Sequence, residues 1–564
     1  MVEDATTQAA NARAVYEARP WLKHYPNYVA PDITPQFSSA LEMFLATVKA
    51  MPEQPALHYF DQTITFGELD RQSSAFAAAL KERGVVYGDR VALFLQNVPQ
   101  FLVAMYGIWK AGAIVVLCNP MFKQKELEYH LNDSGAKGLV CLESLYETVA
   151  RSTVGNTQVQ FVVTTSELDY AGGDPIPSLL ASSSKQRFED TLDMLDLLAK
   201  FDGAQLEVAQ LKPDDTGFLT YTSGTTGPPK GAMNTHANIV FNATVYRDWM
   251  QLSKDDVAIG VAPFFHITGL IASLAASALT GMPIITFYRF DPAEMLRLTE
   301  KWRGTFTVAA ITVFIALLNC PDIHTRDLSS MKKMYSGGAP VSPKIVENFQ
   351  EATGAYIHNI YGLTETTSPS HAVPMGKQAP VDPDSGALSV GVPIPNTICR
   401  IIDVATGEDL PVGSVGELIT KGPEIVAGYW QKPEETANAI RDGYLYTGDV
   451  AKMDEDGWFY IVDRKKDLIN VSGYKVWPRD VEDTLYQHPA VREAAVVGVP
   501  DPYRGETVKA FVALKSGYET TPEELIEFCK ARMANYKYPR QVVILDDLPK
   551  TPTGKFLRRE LRNQ

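Results

Sequence analysis

The chain has 564 residues, with 52 Lys and Arg against 67 Asp and Glu, a formal charge of −15 at pH 7. That acidic balance disfavours a nucleic-acid binder, which needs a basic stripe, and a hydrophobic share of 45% with 21% charged residues excludes wholesale disorder. Five scattered cysteines (Cys118, Cys141, Cys320, Cys399, Cys529) form no CxxC pair, and the first residues lack the basic and apolar regions of a signal peptide, so a reducing, cytoplasmic setting is expected.

In chain order, Phe66, Leu69, Ser73, Phe76, Ala77 and Leu80 share one helical stripe that ends at Gly84. A short apolar strand follows at 91–95, a helix opened by Pro99 runs through Trp109, and strand, helix and strand come next at 113–117, 123–131 and 138–141. Apolar strands joined by helices predict a parallel sheet covered on both faces. Between Ser166 and Asp215, glycine, proline and a serine run flank one or two amphipathic helical stretches, read as a surface connection. A second α/β stretch spans 216–366. Within it, Leu270 to Tyr288 holds Ser273, Ser277, Thr280, Gly281 and Pro283, and so reads as a buried helix, a turn and a strand rather than a membrane span. Shorter β-like runs up to Asp463 suggest small twisted sheets or a barrel. The last hundred residues predict an α+β unit, with helices at 479–488 and 522–533 around strands at 492–499 and 508–514. The charged joint Asp463-Arg-Lys-Lys-Asp467 lies at its edge.

The most informative segment is Tyr221-Thr-Ser-Gly-Thr-Thr-Gly-Pro-Pro-Lys-Gly231. Its glycines let main-chain N–H groups approach an anion, hydroxyls add donors, and Lys230 supplies a charge. It is not a Walker loop, because Pro229 precedes the lysine and Gly231 follows it.

This segment resembles the signature of the adenylate-forming superfamily of acyl-CoA synthetases, luciferases and adenylation domains. Tyr361-Gly-Leu-Thr-Glu365, Tyr446-Thr-Gly-Asp449 with Asp463-Arg464, and Pro549-Lys-Thr-Pro-Thr-Gly-Lys555 match that family's later motifs in order. The resemblance implies an α/β fold: a large N-terminal domain of stacked α/β subdomains plus a small β-barrel-like part over 1–465, and a small mobile C-terminal α+β domain over 466–564. It implies that ATP and a carboxylic acid form an acyl-adenylate, and that the acyl group then passes to the thiol of CoA.

The same resemblance distributes the roles. Thr222, Ser223, Gly224, Thr225, Thr226, Gly227 and Lys230 would hold ATP phosphates; Glu365, with Thr222 as hydroxyl partner, would hold Mg2+; and Thr364 would touch the α-phosphate. Asp449 and Arg464 would bind the ribose, Gly337, Gly338, Ala339 and Pro340 would lie along adenine, and Tyr361, followed by Gly362, would stack on it, with Asn359 at the base edge. Lys555 would bridge carboxylate and α-phosphate, and Lys466 stands at the hinge position. Swinging about it would withdraw Lys555 and bring Ser472, Gly473 and Tyr474 to the CoA tunnel.

Pro263-Phe-Phe-His-Ile-Thr-Gly269 occupies the acid-pocket motif. Phe264 and Phe265 stand where an amino-acid-activating domain would carry an Asp, so an uncharged acid is expected, with Gly269 and the small residues after it along the pocket; His266 is either a catalytic neighbour of the carboxylate or a structural histidine. Arg19-Pro-Trp-Leu-Lys-His-Tyr-Pro26, Leu127-Glu-Tyr-His-Leu-Asn-Asp-Ser-Gly135 and Gly428-Tyr-Trp-Gln-Lys-Pro433 are similar to bacterial long-chain fatty-acid CoA ligases. A shorter 166–215 connector, and Ser223 where those enzymes often carry Gly, leave chain length open. Medium-chain or aryl acids, a carrier-protein thiol and an inactive nucleotide-binding regulator remain as alternatives. A fatty substrate implies transient contact with the inner membrane face, and a homodimer is one assembly that the resemblance allows.

Overall fold

The structure, a computed structural model, describes residues 5–562 apart from 173–175, 223–227, 465, 466, 468, 472, 473, 502, 503 and 552–554. A seven-stranded sheet carries, in order, Leu192–Asp193, Phe161–Thr165, Gly138–Leu142, Arg90–Phe94, Ile114–Leu117, Thr216–Tyr221 and Gly231–Thr235; only the last pairing is antiparallel. A nine-stranded sheet is parallel from Ile357–Leu363 across to Pro55–Tyr59 and turns antiparallel at both edges.

The predicted alternation is present. The helix Phe66–Glu82 starts with a capping box between Thr65 and Glu68, and the helix Pro99–Lys110 starts on its proline. Every residue of Pro99–Lys110 is buried, including Lys110, whose ammonium donates to Asp70, Ser73 and Ser74. A buried charge persists only with such partners. The Tyr106 ring stacks on Phe44 at 3.7 Å, locking this helix to Ala40–Ala50. The Leu270 region folds as expected: a π-type turn Gly269–Ala275 runs into Ala276–Thr280, Gly281 ends it at φ 75°, and Ile284–Thr286 enters the nine-stranded sheet. No helix among the described residues is long and apolar enough to cross a membrane.

The 166–215 stretch is a largely exposed connection, as expected, with one addition to the sheet. Among its described residues it holds one α-helix, Met194–Lys200, and Leu192–Asp193 pairs beside Phe161–Thr165 while Leu180 and Met194 are fully buried. Apart from this edge pairing and those anchors, most of its described residues are exposed or half-buried, as a surface connection requires. The β-like runs before Asp463 form a five-stranded antiparallel sheet of Ile398–Ile402, Val415–Lys421, Tyr444–Met453, Ile440–Arg441 and Phe459–Arg464.

The C-terminal part pairs Val491–Asp501 with Gly505–Leu514 and flanks them with helices Pro478–Tyr486 and Pro522–Lys530. Its apolar side chains gather in clusters of their own, one around Val481, Val496, Val512 and Leu525, another around Phe511, Leu548 and Leu561. Arg479 crosses to the larger part: Nη2 donates to the Val341 carbonyl at 3.0 Å and Nη1 to that of Ile461 at 3.2 Å, while Asp483 accepts from Nε at 3.4 Å.

Candidate active site

A cleft of about 610 Å³ opens at the carboxyl ends of the parallel strands, where the nine-stranded sheet, the antiparallel sheet and the C-terminal part meet. Crevices at strand ends are where α/β folds place ligands. The adjacent strands Lys333–Ser336 and Ile357–Leu363 each run into it, the first through Gly337-Gly338 and the second through Tyr361-Gly362. A Cβ on Gly337 would stand 2.5 Å from the Ile360 carbonyl oxygen, and one on Gly362 would stand 1.9 Å from that of Ser368. Both positions therefore need glycine.

Beyond Gly362 the chain makes a strained turn. Thr367 and Ser368 hold φ of 49° and 91°, a region that residues with a Cβ rarely occupy. Asn242 Nδ2 restrains it by donating to the Thr366 and Thr367 carbonyls at 2.9 and 2.6 Å, and Asn234 Nδ2 does so through the Thr364 carbonyl and the Thr367 hydroxyl. The turn holds Thr364 and Glu365 in the cleft wall.

Tyr429 donates its phenol to Glu365 Oε1 at 2.7 Å. Burial and the Glu365 charge push that phenol well above its usual pKa, so it stays a donor. The Lys230 ammonium sits 5.1 Å from the centroid of the same ring, a cation–π placement. Across the cleft, Asp449 is buried on strand Tyr444–Met453, in register with Arg464, and accepts from the Tyr361 phenol at 2.7 Å.

Lys555 enters from the C-terminal part, where Thr551 N–H donates to the Lys555 carbonyl at 2.7 Å. Its Cε lies 3.1 Å from where a Gly338 Cβ would be, so Gly338, at φ 80°, makes room for it. His266 lines the same cleft; desolvation, aided by the Lys555 charge, lowers its pKa to about 3. The Thr268 N–H donates to its Nδ1 at 3.3 Å, which assigns the proton of the neutral ring to Nε2.

Thr222, Lys230, His266, Gly337, Gly338, Tyr361, Gly362, Thr364, Glu365, Asp449 and Lys555 thus converge as expected. Others do not line the cleft. Asn359 is buried with Nδ2 donating to the Ser389 carbonyl at 3.0 Å, and Ala339 packs on the core beside Pro340. Phe264 is fully buried edge-on to Phe101, Phe265 packs on the core, and Gly269 is required because a Cβ there would lie 2.2 Å from the Pro263 carbonyl oxygen. These three flank His266 in sequence and stand outside the lining of this cleft. Ser223, Gly224, Thr225, Thr226, Gly227, Lys466, Ser472 and Gly473, and the side chains of Arg464 and Tyr474, lie outside the described residues.

Sequence reasoning missed Tyr246, Val308, Ser368 and Pro369, which line the cleft. No motif marks them. Tyr429 lay within a quoted segment but had no assigned role, because only the fold brings it to Glu365.

Stacked α/β sheets, an antiparallel third sheet and a small C-terminal part that delivers a lysine into the cleft define an adenylate-forming enzyme. Residues 44–430 match the AMP-binding enzyme family and 480–555 the AMP-binding enzyme C-terminal domain. The chain belongs to this family. It is 39% identical to a long-chain-fatty-acid–CoA ligase of Bacillus subtilis (strain 168), an alignment covering 96% of this chain and 97% of that one, and 38% identical to one of Escherichia coli O6:H1, covering 96% and 98%. Among solved structures, an anthranilate CoA ligase in complex with anthranoyl-AMP superposes with a TM-score of 0.85 at 27% identity, over 94% of this chain and 98% of that one.

Proposed function

We propose that the chain is an ATP-dependent fatty acid–CoA ligase that makes an acyl-adenylate with release of pyrophosphate and then transfers the acyl group to CoA with release of AMP. The observation that carries this reading is the meeting in one cleft of Lys555, from the C-terminal part, with Lys230, Glu365 and the Tyr361–Asp449 pair. Relatives named long-chain-fatty-acid–CoA ligases over nearly full length support the acid.

Both reactants are anions, so their encounter needs neutralising charge and fixed alignment. Lys230 faces the phosphates. Lys555 reaches the carboxylate and the α-phosphate, and the Thr364 hydroxyl donates to the same phosphate. Asp449 accepts from the ribose hydroxyls, with Arg464 beside it, and Tyr361 stacks on the adenine between Gly337-Gly338 and the antiparallel sheet. His266, neutral at physiological pH, donates through Nε2 without adding charge beside Lys555.

The donor set fits Mg2+. Glu365 and Thr222 offer hard oxygens, and among the described residues no group of three or more His, Cys, Asp or Glu could form a protein cage. An ion held by one carboxylate, substrate phosphates and water needs no more. When bound, it would offset phosphate charge.

We place the domain boundary at 465/466. The separate apolar clusters of the C-terminal part support its moving as a body about Lys466, removing Lys555 and presenting Ser472, Gly473 and Tyr474 to CoA. Acid-dependent ATP–pyrophosphate exchange and CoA-thioester formation, measured over C2 to C18 and aromatic acids, test the reading: long-chain acids give the highest kcat/KM. A best rate with aromatic acids favours the aryl alternative, to which the anthranilate ligase likeness points. Absence of exchange with every acid leaves a nucleotide-binding regulator.

A further inference from the structure

The helix Gln124–Ser134 lies behind the phosphate-facing segment, and the Leu127–Gly135 run that marks the chain's subfamily has no task in the reaction above. Two of its side chains, one helical turn apart, hold the two described ends of that segment. At the entry, the Tyr221 phenol donates to Asp133 Oδ2 at 2.9 Å. At the exit, the Tyr129 phenol donates to the Pro229 carbonyl at 2.8 Å. Thr222 N–H closes the ends on each other by donating to the Lys230 carbonyl at 3.0 Å.

Asp133 has a second partner from a distant part of the chain. Lys432 donates to its Oδ1 at 2.8 Å, with side-chain exposures of 24% and 12%. Lys432 follows Tyr429, and main-chain bonds from Trp430 N–H to the Gly231 carbonyl and from Met233 N–H to that of Gly428 register this stretch beside Lys230. Asp133 thus ties together the segment that carries Lys230 and the segment that carries Tyr429, the partner of Glu365. None of Tyr129, Asp133 and Lys432 lines the cleft.

We propose that Tyr129, Asp133 and Lys432 are positioning residues that set Thr222, Lys230 and Tyr429 for ATP, an inference that rests on reading the cleft as the ATP site. Thr222 and Lys230 both line the cleft, and anchoring their neighbours Tyr221 and Pro229 on one helix fixes the two before the nucleotide arrives; small misplacements of such groups weaken catalysis strongly.

The test is steady-state kinetics of Asp133→Asn, Tyr129→Phe and Tyr221→Phe, with ATP titrated by calorimetry. Asp133→Asn raises KM and Kd for ATP about tenfold, while KM for acid and CoA, and thioester formation from supplied acyl-adenylate, stay near wild type. The double variant Asp133→Asn/Lys432→Gln loses less than the sum of its singles, because it leaves no unpaired ammonium. The two phenol variants each remove one hydroxyl and carry the test should Asp133→Asn not fold. A lower Tm with ATP affinity within twofold of wild type in all variants, or an equal rise in all three KM values, overturns the proposal. Wild-type protein that binds ATP but catalyses no exchange refutes the ligase reading and leaves the calorimetric comparison standing; wild-type protein that binds no ATP refutes both.

Discussion

Lys555 is the side chain whose loss is expected to separate the two half-reactions. Its ammonium sits against Gly338 in the present conformation, beside the place where the proposed adenylation would build up charge. Lys555→Ala is expected to slow ATP–pyrophosphate exchange by about 10²- to 10³-fold, the scale for removing a preorganised charge partner, while thioester formation from supplied acyl-adenylate keeps most of its rate. Equal losses in both assays would count against a lysine used only in the first step. Lys555, Lys230, Glu365 and Asp449 were legible in the sequence because each sits in a short segment whose residue types carry chemistry. The Tyr429–Glu365 bond was not, since it joins positions 64 apart that no local pattern connects. Phe264 shows the converse limit: an aromatic beside a candidate catalytic histidine reads equally well as pocket or as core, and burial of its ring is consistent with both.

At the scale of elements, the turn after Gly362 shows how strain is held. Asn242, fully buried on the helix His236–Trp249, gives both amide hydrogens to carbonyls of that turn. Asn242→Ala leaves two buried carbonyls without a donor and is expected to cost about 1–3 kcal/mol, read as a lower denaturant midpoint. Because Glu365 rides on the turn, ATP–pyrophosphate exchange falls further than stability alone explains; an unchanged specific activity in the folded variant would show that the turn needs no such restraint. The parallel strands and their helices were readable because apolar runs and helical stripes repeat within a few residues of each other. The edge strand Leu192–Asp193 was not, since two residues carry no period and become a strand only by pairing with Phe161–Thr165.

For the whole molecule, buried titratable groups set the response to pH. Desolvation lowers the pKa of His58, His130, His236 and His358 to about 4 and of His266 and His371 to about 3. Below about 6.5 the unfolded chain takes up protons that these rings refuse, so stability falls as pH drops from 6.5 towards 3. Burial raises Glu143 and Glu424 to about 7 and Asp483 to about 6, which acts in the opposite sense between about 4.5 and 7, because there the folded state holds the extra protons. Six rings outweigh three acids, so the urea midpoint is expected to decline from pH 6.5 to 4.5; a flat or rising midpoint would refute it. Stiffening the proposed joint with Lys466→Pro is expected to spare adenylation and suppress thioester formation, measured as the two half-reactions; full thioester formation would count against a swinging C-terminal part.

Arg479 gives that motion a cadence. Its guanidinium holds main-chain oxygens of Val341 and Ile461 on the far side of the proposed boundary, and both bonds would have to open for the smaller part to turn as proposed. Hydrogen bonds from a charged donor are among the firmer ones, so in the proposed cycle this grip would delay the turn between the two chemical steps. In rapid-quench experiments Arg479→Ala is expected to shorten the lag before thioester appears, and to let more adenylate escape into solution unconsumed.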